Sequence, residues 1–235
     1  MQRLMSLMRS AMEKYHMIEE GDRIAVCVSG GKDSVALLYA LSQMRRFYPI
    51  PFSIEALTLE MGFPDSPDFS PIAALCEKLE VPYTLKPTKI GQIVFDVRQE
   101  ENPCSLCARM RRGALHDAAK ALGCNKIALG HHLDDAAETF YMNLLLGGRI
   151  GCFSPVSYLS NKQLYMIRPM ALAFERDVSR AAARLSLPVV KNSCPADGNT
   201  KRQEIKQLVR TLEKDYDRLR IKTIGALQRA GIDGW

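Results

Sequence analysis

An α/β fold, a parallel sheet covered by helices on both faces, is predicted by three observations. Short apolar runs of strand length alternate with longer segments of helical period, the pattern of repeated β-α-β units. One run, Ile24-Ala25-Val26-Cys27-Val28, leads directly into Ser29-Gly30-Gly31-Lys32-Asp33-Ser34 and a helix. Another, Lys126-Ile127-Ala128-Leu129, leads in the same way into Gly130-His131-His132-Leu133-Asp134-Asp135. Both polar segments thus fall at the carboxyl ends of strands, where open parallel sheets bind ligands.

Each element has a local reason. Leu4, Leu7, Met8, Met12 and Tyr15 recur at helical spacing, so residues 3–16 predict an amphipathic helix that Gly21-Asp22 ends. The helix after the glycines runs from Val35 to Arg46, and Pro49 and Pro51 close it. Phe52 to Leu59 reads as a strand, the Gly-, Pro- and Ser-rich 61–71 as a loop, Ile72 to Leu79 as a helix and Val81 to Leu85 as a strand. Thr88 to Pro103 has no clear period. Cys107 to Leu122 and Asp134 to Leu146 are helical in pattern and flank the strand at Lys126. After Gly147-Gly148, Leu164 to Ile167 predicts a strand, Phe174 to Leu185 a helix and Val189-Val190 a last strand. Two basic helices, Lys201 to Leu219 and Lys222 to Ala230, form a C-terminal extension.

The composition narrows the function. At 235 residues and 47% hydrophobic content the chain can bury a substantial core. No apolar run reaches the length of a membrane span and the start has no signal-peptide core, so no membrane partner and a cytoplasmic location are expected. An odd set of seven cysteines argues against a disulfide scaffold and for metal binding by some of them. Of the formal charge of +6, the tail carries most. Lys201, Arg202, Lys206, Arg210, Lys214, Arg218, Arg220, Lys222 and Arg229 outnumber Glu204, Glu213, Asp215 and Asp217 by five. A basic tail suits a phosphate-rich partner, although a solvated helix face explains such runs as often.

Ser29 to Ser34 has the chemistry of an anion cradle. Paired glycines let the backbone approach a ligand, the next helix offers its unpaired amides, Lys32 adds a cation, and Ser29 and Ser34 add hydroxyl donors. The ordinary P-loop is excluded, because it needs four residues between its glycines and a Ser or Thr after the lysine, where this chain has Asp33. At the second segment, the pair Asp134-Asp135 beside a triphosphate can hold Mg²⁺. The alternatives there are a transition-metal site with His131-His132, or Asp134 as a plain helix cap.

Cys104-Ser105-Leu106-Cys107 follows Pro103 and opens a helix, so both sulfurs can address one centre, and zinc, an iron–sulfur cluster and a redox dithiol are the candidates. No second CxxC and no finger-type Cys–His pair is present. Cys194, in a loop before Pro195, is the attractive third ligand. Cys27, Cys76 and Cys124 fall in or beside apolar segments and read as core; the pattern leaves Cys152 unassigned.

Ser29 to Ser34 resembles the SGGxDS PP-loop of the ATP pyrophosphatases that split ATP to AMP and pyrophosphate. With PCSLCARMRRGAL, GHHLDDAAET and the downstream Cys194 in this order, nearly the whole chain resembles the tRNA 2-thiocytidine synthetase family. The resemblance implies ATP bound by Ser29, Gly30, Gly31, Lys32, Asp33 and Ser34, by Gly130, and by the strand ends at Cys27, Val28 and Leu59. It implies Mg²⁺ at Asp134 and Asp135 and an oxygen-sensitive 4Fe-4S cluster on Cys104, Cys107 and Cys194. Lys32, Asp134, Asp135 and Arg111 are the expected catalytic residues, with Arg111 and Arg112 facing the adenylate. The implied reaction adenylates the C2 oxygen of cytidine 32 in the tRNA anticodon loop and delivers sulfur from a cysteine desulfurase or sulfide.

Two departures stand out: Cys194-Pro195-Ala196-Asp197 replaces the second CxxC common in that family, with Asp197 a candidate further ligand, and the paired zinc fingers of the thiouridine-forming subgroup are missing. Tail residues are expected to contact RNA, and a homodimer would enlarge the binding surface. The expected division is residues 1–20 as the N-terminal helix, 21–192 as the ATP-binding domain with the CxxC, and 193–235 as the third cysteine and tail. Alternatives within reach of the same motifs are a 2-thiouridine synthetase, an amidotransferase or NAD synthetase-like enzyme, and a nucleotide-binding iron–sulfur sensor.

Overall fold

A computed structural model describes residues 1–99, 103–190, 194–195 and 200–235. Asp197 lies outside the described residues. The sheet has six strands: β1 Asp22–Cys27, β2 Phe52–Glu60, β3 Tyr83–Pro87, β4 Lys126–Ala128, β5 Val156–Leu159 and β6 Leu164–Ile167. Their order is β3-β2-β1-β4-β6-β5, parallel except for β5, which runs antiparallel to β6. The chain moves outward from β1 to β2 and β3, then returns to place β4 on the other side of β1. That reversal makes a crevice at the carboxyl ends of β1 and β4, the topological switch point of an open sheet. At the opposite end, Lys126 Nζ pairs with Asp22 Oδ2 at 2.8 Å in the interior, tying β4 to β1.

The helices are α1 Gln2–Lys14, α2 Lys32–Met44, α3 Ser70–Lys78, α4 Ile90–Gln92, α5 Pro103–Ala121, α6 Leu133–Gly147, α7 Glu175–Arg184, α8 Lys201–Asp215 and α9 Leu219–Ala230. On one face of the sheet α1, α2 and α7 pack together, and Leu4, Met8 and Met12 of the Met-rich stripe are fully buried there. Helix α5 covers the other face, where Ala118 and Ala119, with Cys124 just beyond the helix, pack against Ala25, Leu57 and Ile127. Residues buried on both faces explain the near-continuous apolar pattern of β1 and β2. Helices α8 and α9 pack on α6, and Trp235 closes the third cluster by donating Nε1–H to Phe153 O at 2.8 Å.

Three features differ from the pattern-based expectation. Val189-Val190 is not a strand: Val190 N–H donates to Gly30 O at 2.9 Å, and the residue lies across the glycine loop instead of joining the sheet. Strand β5 was not foreseen, because four half-exposed residues carry no apolar run; it forms by pairing with β6, where Tyr158 and Tyr165 stack at 4.7 Å. The unassigned stretch contains α4 continuing into a π-helical turn, Ile93–Arg98. Helix α5 begins at Pro103, so the CxxC opens a helix, as its sequence context predicts.

Candidate active site

At the crevice the loop after β1 and the start of α2 fold into a closed turn. Gly30 has φ +87°, and a Cβ there would stand 2.8 Å from Val190 Cβ, so only glycine fits. Ser34 Oγ accepts from Ser29 N–H at 3.1 Å and donates to Gly31 O at 2.8 Å, which fixes the loop and leaves the first amides of α2 without helical partners. Across the crevice, Gly130 lets the two loops touch: a Cβ there would lie 3.2 Å from Ser34 N.

Between them is a cavity of about 510 Å³. Cys27, Val28, Ser29, Gly31, Asp33, Ser34, Leu59, Arg111, Gly130 and Asp135 line it, so most of the nucleotide-site residues expected from sequence converge here. Sequence reasoning missed its apolar wall of Leu57, Met61, Phe63 and Phe69. A strand followed by a Gly-Pro loop gave no sign that the loop folds back over the site.

The acidic pair is split. Asp135 lines the cavity, accepts from His132 N–H at 2.9 Å and completes a capping box with the His132 imidazole. Asp134 is buried and turned toward the tail, accepting from Glu175 N–H at 2.7 Å and lying 3.1 Å from Arg220 Nε. Arg220 also pairs with Glu213. Lys32 reaches sideways to Asp33 at 2.9 Å and to Glu175 at 3.2 Å. Glu175 in turn holds Lys206 at 2.9 Å, and Arg202 approaches Asp135 to 3.7 Å. Glu175 was not singled out by the sequence, and Arg202, Lys206 and Arg220 were read only as part of the basic tail and not as neighbours of this crevice; the i, i+4 spacing of Arg202, Lys206 and Arg210 on one helix face was the available signal.

His131 faces the cavity with a defined proton. Its Nδ1 accepts from Arg168 Nε–H at 3.3 Å, and burial, reinforced by the Arg168 charge, lowers its pKa to about 4. The neutral ring therefore carries its proton on Nε2 and can donate it to a ligand. Arg168 is itself held over Phe153 at 4.8 Å, with its pKa brought down to about 10 by burial.

Arg111 connects the cavity to the cysteines. It lines the cavity, and its charge lowers the pKa of both Cys27 and Cys107 against the larger upward effect of burial. Cys194 and Cys104 are close enough to Cys107 to raise its thiol pKa further. Cys104 is exposed, whereas Cys107 and Cys194 are half-buried. Burial pushes Cys76 and Cys124 up to about 11 and Cys152 to about 12, so these are inert packed thiols. Among the described residues no three His, Cys, Asp or Glu side chains are close enough to hold a single metal ion. A multi-iron cluster distributes its thiolates over different irons and does not need that convergence.

A family model described as a PP-loop domain matches residues 4–213, and the chain belongs to that family of nucleotide-binding proteins. Within it, the chain is 39% identical to the tRNA-cytidine(32) 2-sulfurtransferase of Alkalilimnicola ehrlichii, over 96% of this chain and 72% of the relative. It is 40% identical to the protein of the same name in Syntrophotalea carbinolica, over 96% of this chain and 88% of the relative. It is thus a member of the tRNA-cytidine(32) 2-sulfurtransferase family. The U34-tRNA thiolase NcsA from Methanococcus maripaludis, solved with its [4Fe-4S] cluster, shares the fold at a TM-score of 0.79 and 23% identity, covering 96% of this chain and 77% of that one. No described helix is long and apolar enough to cross a membrane.

Proposed function

We propose that this chain is an ATP-dependent tRNA sulfurtransferase that converts cytidine 32 of the anticodon loop to 2-thiocytidine. The position of Arg111 carries the reading: one guanidinium lines the nucleotide cavity and acts on Cys107, so activation and sulfur delivery share a boundary. Such a reaction needs the activated carbon and the sulfur about 3–3.5 Å apart.

The residues divide the work. The apolar wall of Leu57, Leu59, Met61 and Phe69 suits a purine, and Ser29 to Ser34 with the α2 amides suits the phosphates. The C2 oxygen of the base attacks the α-phosphorus, pyrophosphate leaves, and sulfur then displaces AMP at C2. Arg111 and the His131 Nε2–H face the space where negative charge develops and stabilise it. Of the acidic pair, Asp135 lines the cavity and offers the oxygen donor Mg²⁺ prefers, while Asp134, held by Arg220, would have to leave that partner to join it; the ion, when bound, would offset phosphate charge as pyrophosphate departs.

Cys104, Cys107 and Cys194 would hold a 4Fe-4S cluster, which when bound supplies the place of sulfur delivery. The donor set fits it: Cys104 and Cys194 are each within electrostatic reach of Cys107, and Cys107 is within reach of Arg111, which lines the cavity. A cysteine desulfurase or free sulfide would provide the sulfur. Exposed Lys201, Lys214, Arg218, Lys222 and Arg229 of the tail remain available for the tRNA backbone, and a homodimer would double that surface. Anaerobic purification followed by reaction with ATP, Mg²⁺, sulfide and tRNA tests the reading. The expected result is a brown, iron-containing protein that forms AMP and 2-thiocytidine in equal amounts. A colourless, iron-free protein would overturn the cluster assignment, and thiolation without AMP would overturn adenylation.

A further inference from the structure

Helix α8 does more than flank the site. Arg202, Lys206 and Arg210 recur at every fourth residue and so lie on one face of the helix, which is turned toward the two nucleotide loops. Lys206 Nζ donates to Glu175 Oε1 at 3.0 Å, and Lys32 Nζ donates to that same oxygen at 3.2 Å. Two ammonium groups, one from the loop after β1 and one from the tail, therefore converge on a single anionic oxygen. Arg210 Nη2 lies 3.9 Å from the other oxygen, Oε2. Among the described residues, salt bridges set these three cations against two carboxylates, Glu175 and Asp33, beside the open amides of α2. Lys206 is also unlike its neighbours on the helix, with a side chain 20% exposed against 70% for Lys201.

We infer that Lys206 is a phosphate-binding residue of the ATP site, which holds the β- and γ-phosphates, and afterwards pyrophosphate, together with Lys32. Glu175 occupies the point where a phosphoryl oxygen would receive both ammonium groups. Both ammonium groups point at one carboxylate oxygen, at 3.0 and 3.2 Å, so the pair is arranged to hold an anion at that place. Bound phosphate shares or replaces this carboxylate, and the released cations follow the departing pyrophosphate. The assignment rests on the adenylation reading above.

Equilibrium binding of Mg²⁺-pyrophosphate and of ATP to the full chain, without tRNA, tests it. Lys206→Gln is expected to weaken pyrophosphate binding about tenfold or more, since a charge-assisted contact is lost. Lys206→Arg should restore binding to within a few-fold of wild type. Glu175→Gln, which keeps both cations and removes their competitor, should bind pyrophosphate at least as tightly as wild type. Lys14→Gln, an exposed lysine at the end of α1 and outside the cavity lining, should leave binding unchanged. A structural clasp alone would make Lys206→Gln and Glu175→Gln equivalent, each losing thermal stability and pyrophosphate affinity together, and that result would overturn the inference. Wild-type affinity in Lys206→Gln would overturn it as well, while leaving adenylation standing. A wild-type protein that binds neither ATP nor pyrophosphate would overturn the adenylation reading and this assignment with it.

Discussion

The two positively polarised elements at the crevice act through different parts of the chain. The loop after β1 presents backbone, shaped by Gly30 at φ +87° and by Ser34 hydrogen bonds to its own neighbours, all within six residues. The tail presents long side chains, and each meets a partner far away in sequence: Lys206 with Glu175, Arg202 with Asp135, Arg220 with Asp134. A backbone cradle is rigid and poised for an anion. A side-chain cluster is neutralised by carboxylates until a stronger anion arrives. The first encodes its function locally, whereas the second acquires it only through the fold.

The largest effect expected of any single change concerns a third element at the crevice. Cys194→Ala should abolish the cluster and with it all thiolation, while Cys76→Ala, a fully buried thiol far from that chemistry, should leave iron content unchanged. Iron analysis and visible absorbance check this, and equal iron in the two variants would break the ligand assignment. Within the comparison, Gly30→Ala should cost the loop its ligand: positive φ and a contact at 2.8 Å from Val190 force the cradle open, with ATP affinity falling at least tenfold, read by equilibrium binding.

Those two expectations also show what can be read in a sequence. Hexapeptides such as Ser29 to Ser34 and the run Gly130 to Asp135 carry their geometry in adjacent residues, and the structure brings both to one cavity. Strand β5 was illegible because its four residues are ordered by β6 and not by their own pattern. Asp134 and Asp135 looked equivalent as neighbours, yet the start of α6 sends one to the cavity and the other to Arg220. The tail's ties to the crevice were illegible because its charge was visible and its partners, some 30 to 90 residues away, were not.

Smaller effects sharpen the tail side of the comparison. Arg220→Met should destabilise the protein by roughly 3–5 kcal/mol, because buried Asp134 would keep its charge and lose its cation. Chemical denaturation at neutral pH measures it, and a loss below about 1 kcal/mol would mean the pair is dispensable.

Glu138, buried one turn beyond Asp134 with no hydrogen-bond partner for Oε1 among the described residues, gives a pH signature. Burial raises its carboxyl from 4.5 to about 7, against the opposing charge of Lys206. A folded-state pKa raised above the unfolded value favours folding at low pH, and the benefit is lost as pH rises from about 4.5 through 7. Glu138→Gln should therefore match wild-type stability near pH 4.5 and exceed it at pH 8, by on the order of 3 kcal/mol at most. A stability difference independent of pH would refute the buried-acid account.

The central claim, that the loop cradle and the three cysteines serve one sulfur-transfer reaction on tRNA, meets its most direct test in mass spectrometry of tRNA nucleosides from cells with and without this gene. The account predicts loss of 2-thiocytidine alone, with other thionucleosides intact. Unchanged 2-thiocytidine would contradict it.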